Sequence, residues 1–333
     1  MHDTGSLSST RYIDVFNGDA DGICALHQLR LAFPVRAAEI TGVKRDIALL
    51  DKVQVSAGDY LTVLDISLDA NLLALQRHLE CGAEVWYFDH HDAHQLFTHP
   101  HLHLHVSNAQ DVCTSMLVNR YLHGRYEQWA IVAAYGDHLL QTADGMAIDA
   151  GLTAEQRQTL QELGVLLNYN AYGEELGDLH IHPAELYREV HQFENPFDFV
   201  RDSSYFLALQ YAYAHEQEHL HHLQPVAVGR QSQIYVLPDE VWARRLSGLL
   251  ANLLCEKQAG KTFAVLTPRR DGSYTVSVRS ADPQSRPASR LCAGFATGGG
   301  RSLAAGINQL DSSTLPRFFR EFFAYFETTS PLH

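Results

Sequence analysis

The sequence lacks the features of membrane and secreted proteins. No apolar run reaches the roughly 18 residues that a membrane-spanning helix needs, and residues 1–10 are polar, without the apolar core of a signal peptide. The 5 cysteines form no CxxC pair, and their odd number in apolar surroundings favours reduced, buried thiols. These absences predict a cytoplasmic protein.

Basic residues are also scarce. The chain has 25 Lys and Arg against 39 Asp and Glu, for a net charge of −14. A protein that tracks long nucleic acids needs a basic surface, because neutralising phosphates supplies most of its affinity. The charge therefore argues against a long nucleic acid tract as a partner, and we expect any phosphate-bearing substrate to be small.

The length of 333 residues allows two domains, each with its own core. Strand-like runs alternate with helical spacing over residues 1–145, which predicts an α/β domain with a mainly parallel sheet and helices on both faces. Residues 146–224 read as a helical connector, and residues 225–333 as a smaller C-terminal α/β domain.

Acidic residues and histidines follow several apolar runs that read as strands. Asp19 and Asp21 follow Tyr12–Phe16, Asp65 follows Tyr60–Leu64, Asp89, His90 and His91 follow Glu84–Phe88, and Asp137 follows Trp129–Gly136. Because the carboxyl ends of parallel strands bind ligands at one edge of a sheet, these side chains should meet there. Hard cations prefer oxygen ligands and Mn²⁺ also accepts nitrogen, so the pattern predicts a divalent metal site. Taken alone, Asp19 and Asp21 also fit a simple turn or helix cap.

Two further stretches carry groups that could bind phosphate. Lys44 and Arg45 follow a predicted second strand, either as surface cations or as groups near a substrate phosphate. Near the C-terminus, Gly298–Gly300 precede Arg301, and this stretch reads either as a flexible loop or as an anion site at a helix start.

Together these motifs resemble the DHH phosphoesterase family, in its DHH–DHHA1 branch, over nearly the whole chain. The matching segments, in chain order, are Asn17–Gly22, Asp65, Asp89–His91, Gly136–Asp137 and Gly298–Gly306. The resemblance implies two Mn²⁺ ions bound between the two domains, with Mg²⁺ or Co²⁺ as substitutes.

The resemblance also implies a role for each matched residue. Asp65 would bridge both ions, Asp19 would hold the first ion, and Asp21, His90 and Asp137 would hold the second. Asp89 would orient a histidine, and His91 would face the scissile phosphate. The substrate would be bound by Arg279, Ser280, Gly298, Gly299, Gly300 and Arg301.

The chain departs from the family pattern at two positions. Many members have a histidine ligand of the first ion where this chain has Val15, and Asn17 or water would have to replace it. Many members also have histidine after the three glycines, where this chain has Arg301. Arginine binds phosphate with a planar fork and does not ligate metals.

These features predict a Mn²⁺-dependent phosphodiesterase in which two metal ions activate a water molecule. We expect linear or cyclic dinucleotides and very short oligonucleotides (nanoRNA) as substrates, and a homodimer as the assembly. The alternatives are a catalytically weakened nucleotide-binding protein, a single-strand exonuclease and a pyrophosphatase-type phosphohydrolase.

Overall fold

The computed structural model describes residues 10–327. By its internal packing the chain divides into two compact units. Of the described residues, the first unit contains residues 10–171 together with Leu179–Gln210, and the second contains Tyr172–Asp178 and residues 211–327. In residues 10–327, no helix has both the length and the apolar character to cross a membrane.

A parallel five-stranded sheet forms the centre of the first unit. Its strands are β1 (Tyr12–Asn17), β2 (Ala37–Gly42), β3 (Tyr60–Leu64), β4 (Glu84–Asp89) and β5 (Leu102–Val106). They are ordered β2-β1-β3-β4-β5, and every neighbouring pair is parallel. The carboxyl ends of all five strands therefore lie at one edge of the sheet.

Nine α-helices in the described range begin in the first unit. They are α1 (Ala20–Ala32), α2 (Leu68–Glu80), α3 (Thr114–Tyr121), α4 (Glu127–Gly136), α5 (Leu140–Asp149), α6 (Ala154–Tyr169), α7 (Pro183–Val190), α8 (Pro196–Asp202) and α9 (Ser204–Gln217). Helices α6 to α8 lie within the predicted connector and pack in the first unit.

The apolar run before Asp137 is a helix, so our interpretation of this run as a strand was wrong. Residues Trp129–Gly136 belong to α4 and are buried without exception. Helix α4 packs against α1, α3, α5 and α6. A helix that is apolar on every side shows no amphipathic period, and a short apolar run of this kind cannot be distinguished from a buried strand by its pattern.

A mixed six-stranded sheet forms the centre of the second unit. The elements here are β6 (Ala227–Val228), β7 (Ser232–Val236), α10 (Val241–Lys257), β8 (Thr262–Pro268), β9 (Tyr274–Arg279), α11 (Ala288–Cys292), β10 (Gly298–Gly300), β11 (Ala304–Leu310) and α12 (Leu315–Glu327). Strands β7 and β8 are parallel and the other neighbours are antiparallel, in the order β10-β11-β9-β8-β7-β6. The two sheets confirm the predicted α/β class.

Candidate metal centre

Asp19 and Asp21 lie where β1 passes into α1. Asp19 is the N-cap of α1, and its Oδ1 accepts a hydrogen bond from the N–H of Gly22 at 3.0 Å. Aspartate is well suited to this position because its side chain pairs with an otherwise unpaired N–H of the first turn. Asp21 lies within that turn, and both carboxylates are almost completely buried.

Backbone N–H groups hold the Asp21 carboxylate in place. Its Oδ2 accepts from Thr114 and its Oδ1 accepts from Ser115, both at 2.7 Å. Both donors lie at the start of α3, where the backbone N–H groups have no partner within the helix. These two bonds fix the orientation of the carboxylate within the site.

Asp65 directly follows β3 in an unusual backbone conformation. Its φ is 59°, in the left-handed region that few residues other than glycine adopt. Its N–H donates to the carbonyl of Phe88 at 3.0 Å, and its Oδ1 accepts from the hydroxyl of Thr114 at 3.2 Å. Such backbone strain clusters at functional sites, which supports a functional role for Asp65.

His90 directs one ring nitrogen at three carboxylates. Its Nδ1 contacts the carbonyl of Val112 at 2.9 Å, so this nitrogen carries the proton. Its Nε2 lies 3.3 Å from Asp65 Oδ1 and 3.7 Å from oxygens of both Asp21 and Asp137. A histidine fixed in this way presents the Nε2 lone pair that a metal ion requires.

His91 is paired with Asp89. The Nδ1 of His91 lies 2.6 Å from Asp89 Oδ1, and Asp89 Oδ2 accepts from the N–H of Leu68 at 3.2 Å. Asp89 therefore orients His91, whereas the carbonyl of Val112 orients His90. Burial alone would lower the pKa of His91, but the hydrogen bond and charge of Asp89, with the charge of Asp65, raise it. His91 is partly exposed, so its second nitrogen can reach a ligand.

Asp19, Asp21 and Asp65 are all buried but differ in their electrostatics. Burial, with the charges of Asp21 and Asp19, raises the pKa of Asp65 well above its usual range. Burial also raises the pKa of Asp21, against the lowering effect of His90. Burial would raise the pKa of Asp19 too, but the charge and hydrogen bond of Lys44 lower it to about 2. Lys44 therefore compensates the charge of Asp19 more effectively than any described group compensates the charges of Asp21 and Asp65.

The residues present fit a divalent cation. Ligand atoms of Asp65, His90 and His91 lie within 4.8 Å of one another. Asn17 adds a buried Oδ1 that has no hydrogen-bond partner among the described residues, while its Nδ2 donates to the carbonyl of Lys44 at 3.2 Å. An unpaired buried oxygen is a ready ligand for a hard cation.

Sequence reasoning left the position of Lys44 open and missed Asn168. The Lys44 ammonium forms an ion pair with Asp19, lies 3.5 Å from Asp137 Oδ1 and donates to Asn168 Oδ1 at 3.1 Å. Asn168 lies in the last turn of α6 and is buried. The available sequence signal for Asn168 was a polar residue directly after the apolar run of residues 165–167.

Arg279 and Ser280 lie at the end of β9 in the second unit. The Arg279 Nε donates to Asn252 Oδ1 at 2.9 Å. The Ser280 hydroxyl donates to the carbonyl of Arg286 at 2.7 Å and accepts from the N–H of Asp282 at 3.2 Å. Ser280 is buried, so its described contacts account for it as a local structural residue.

The glycine-rich segment forms a strand, so the predicted helix start is wrong. Strand β10 pairs with β11, which pairs with β9 opposite Arg279. A Cβ at Gly298 would lie 1.8 Å from the carbonyl oxygen of Cys292, and Gly300 has a φ of 126°. Both positions therefore require glycine for the fold. A Cβ at Gly299 would meet no described atom within 4 Å, which leaves room for a ligand there.

Comparisons with known proteins show which solved structures have the same fold as this chain. Searches of protein-family models and of curated proteins found no match. Among solved structures, exonuclease RecJ bound to manganese aligns over 96% of this chain and 91% of its own, with a TM-score of 0.58 and 16% identity. RecJ from Thermus thermophilus in complex with Mn²⁺ aligns over 97% of this chain and 53% of its own, with a TM-score of 0.56 and 17% identity. PggH, a pGpG-specific phosphodiesterase from Vibrio cholerae, aligns over 96% and 99%, with a TM-score of 0.52 and 13% identity. The chain therefore has the fold of RecJ and PggH, which confirms in fold its resemblance to the DHH phosphoesterases.

Proposed function

We propose that this chain is a metal-dependent phosphodiesterase that hydrolyses short nucleotides, with Mn²⁺ as the preferred ion. The observation that carries this proposal is the convergence of Asp21, Asp65 and Asp137 on the Nε2 of His90. Mixed carboxylate and imidazole ligands suit Mn²⁺. A bound divalent ion would supply an activated water and would neutralise charge on the attacked phosphate.

The chain's own residues would divide the remaining work. His91, with its pKa raised, would hold a proton at the ring nitrogen that Asp89 does not bind, and would donate it to a phosphate or leaving-group oxygen. Asp89 would position His91. Arg279, Arg301 and the open face at Gly299 would bind the phosphate that is not cleaved.

Charge and fold support short nucleotide substrates. The net charge of −14 disfavours a long polyanion outside the site. One protein with this fold is a pGpG-specific phosphodiesterase, which is consistent with a dinucleotide. Another is an exonuclease, and that makes single-strand exonuclease activity the second candidate. We propose a homodimer as the assembly.

The test is turnover with added Mn²⁺ on a linear dinucleotide, a cyclic dinucleotide and a single strand of about 30 nucleotides. We expect the highest kcat/KM on a dinucleotide. The variant Asp65→Asn should be inactive on all three, and Asp51→Asn, at an exposed ion pair with Arg77, should match the wild type. Equal efficiency on the long strand would favour the exonuclease, and binding without turnover would favour a nucleotide-binding protein.

A further inference from the structure

Lys44 is held inside the carboxylate cluster by its backbone as well as by its side chain. It follows β2, whose carboxyl end lies beside that of β1. Its N–H donates to the carbonyl of Ala171 at 2.9 Å, and its carbonyl accepts from Asn17 Nδ2 at 3.2 Å. The backbone at this position is therefore fixed, and the side chain is directed at Asp19 rather than into solvent.

Asp19 has both of its oxygens committed. Oδ1 caps α1 through Gly22, and Oδ2 pairs with the Lys44 ammonium. A first ion at Asp19 would have to compete for Oδ2 with a permanent positive charge. Position 15 gives that ion no help, since Val15 is fully buried in the apolar core.

The second group of carboxylates is arranged around a histidine instead of a lysine. The Oδ1 of Asp65 accepts from the hydroxyl of Thr114 and lies 3.3 Å from Nε2 of His90, and the Asp21 oxygens accept backbone N–H bonds from the start of α3. Asp137 lies between the two groups, with Oδ1 3.5 Å from Lys44 and Oδ2 3.7 Å from His90. One carboxylate thus connects the lysine to the histidine side of the site.

We propose that Lys44 occupies the place of the first ion, so that the chain binds one divalent ion, at Asp21, Asp65, His90 and Asp137. This inference rests on the proposed metal dependence and revises the two ions that the resemblance implied. The ammonium would neutralise Asp19 and contact Asp137 directly, while Asn168 Oδ1 accepts a hydrogen bond from it and helps to hold it in place. Removal of Lys44 would free Asp19 Oδ2 and leave it, with Asn17 Oδ1, to bind a second ion.

The experiment counts Mn²⁺ on the full chain by calorimetry and by electron paramagnetic resonance. We expect one Mn²⁺ per wild-type chain, with the sextet spectrum of an isolated ion. Lys44→Ala should bind a second ion and show a spin-coupled pair, whereas Lys44→Arg should keep one. The matched control is Lys52→Ala, since Lys52 is an exposed lysine paired with Asp46, and it should also keep one ion.

Two results would overturn the proposal. A spin-coupled pair in the wild type would show that Lys44 does not exclude the first ion. A single ion in folded Lys44→Ala would show that Lys44 does not occupy the place of one. If the alanine variant does not fold, Lys44→Met keeps the length of the side chain, and the wild-type count is decisive by itself.

Metal counting is independent of turnover, so failure of the proposed function is visible separately. A chain that binds one ion and hydrolyses no nucleotide would contradict the proposed function and leave the role of Lys44 intact. A chain that hydrolyses dinucleotides with two coupled ions would support the function and overturn the role of Lys44.

Discussion

The carboxyl edge of the first sheet and the glycine-rich end of the second differ in how their polar groups are used. At the first, Asp21, Asp65 and His90 converge although they come from separate elements, and they are buried with raised carboxyl pKa values. At the second, Arg279 and Ser280 have local partners. A site built for a cation is visible without the cation, because burying several carboxylates together is costly and such clusters with perturbed pKa values are typical of functional sites. A substrate-binding site has fewer such signs, because its polar groups can be hydrogen-bonded within the protein when no substrate is bound.

The largest expected effect is at the first edge. Asp65→Asn should lower kcat roughly 1000-fold or more, because it removes a charge at the centre of the site. It should also abolish the rise in Tm that Mn²⁺ gives, while the metal-free protein stays at least as stable, since a buried carboxylate with a raised pKa is replaced. Kinetics and thermal melts with and without Mn²⁺ measure both effects.

Two results would count against this view of Asp65. Near-normal turnover in folded Asp65→Asn would remove Asp65 from the catalytic site. A large loss of metal-free stability would make it a structural residue, because the strained φ of 59° would then serve packing alone. Asp51→Asn, in an exposed pair, provides the matched control.

The His91 pair comes next. His91→Gln should lower kcat about 100-fold or more without changing the number of bound ions, since proton donation typically contributes that much. The raised pKa of His91 means that the active, protonated form is present below that pKa and is lost as pH rises through it. Asp89→Asn removes the main raising influence, so the alkaline limb of the kcat profile should move to lower pH. If the alkaline limb stays at the same pH in Asp89→Asn, a group other than His91 is responsible for it.

Strand periodicity explains how much of the first edge could be predicted. Asp65 and His90 follow apolar strands directly, so the sheet alone brings them together. We predicted that Asp137 follows a strand, whereas it follows α4, which is apolar on every side and resembles a strand in the sequence. The proximity of Asp137 to His90 depends on how the helices pack on the sheet. The hydrophobic periodicity of a single sequence does not show this packing.

Lys44 and Asn168 show what the pattern could not predict. Lys44 lies after β2 in a segment without regular periodicity, and its partner Asn168 is 124 positions away. A lysine next to an arginine looks like a surface pair on composition alone. The direction of the side chain is set by backbone contacts with Ala171 and Asn17 together with the side-chain contacts to Asp19 and Asn168.

The third prediction concerns metal-free stability. The pKa values of Asp65 and Asp21 are higher in the folded state than the usual carboxyl range. Their contribution to stability is therefore present below the unfolded pKa and is lost as pH rises through the folded pKa. The Tm of the metal-free protein should fall as pH rises over this window, and Mn²⁺ at about 100 times its Kd should restore about 2.7 kcal/mol.

Melts of wild type and Asp65→Asn in chelator, across a pH series, test this third prediction. The wild type should show the steeper loss of Tm with rising pH, and the variant should show a shallower one. Parallel curves for the two proteins would mean that Asp65 does not titrate in this window. The electrostatic cost of burying carboxylates at the edge of the first sheet would then be smaller than we infer.

The smallest effect is expected at the glycine-rich end. Arg301→Ala should raise the KM for a dinucleotide about tenfold, a loss of about 1.4 kcal/mol, and should change kcat less. Arginine would bind a phosphate that is not cleaved, so its loss would weaken binding rather than the chemical step. Arg301→Lys should recover only part, because a point charge does not reproduce the planar fork. Steady-state kinetics on one linear dinucleotide measures these values.

Gly299 sharpens the last test, because the described fold gives no reason for glycine there. A Cβ at this position meets no described atom within 4 Å, so Gly299→Ala should fold with an unchanged Tm. If the strand binds substrate closely, the added methyl group should still raise KM. Ser280→Ala is the contrasting control, since its hydroxyl is used within the chain and its loss should lower stability more than binding. Unchanged KM values in both Arg301→Ala and Gly299→Ala would remove this end from the substrate site and leave Arg279 as the remaining cation to test.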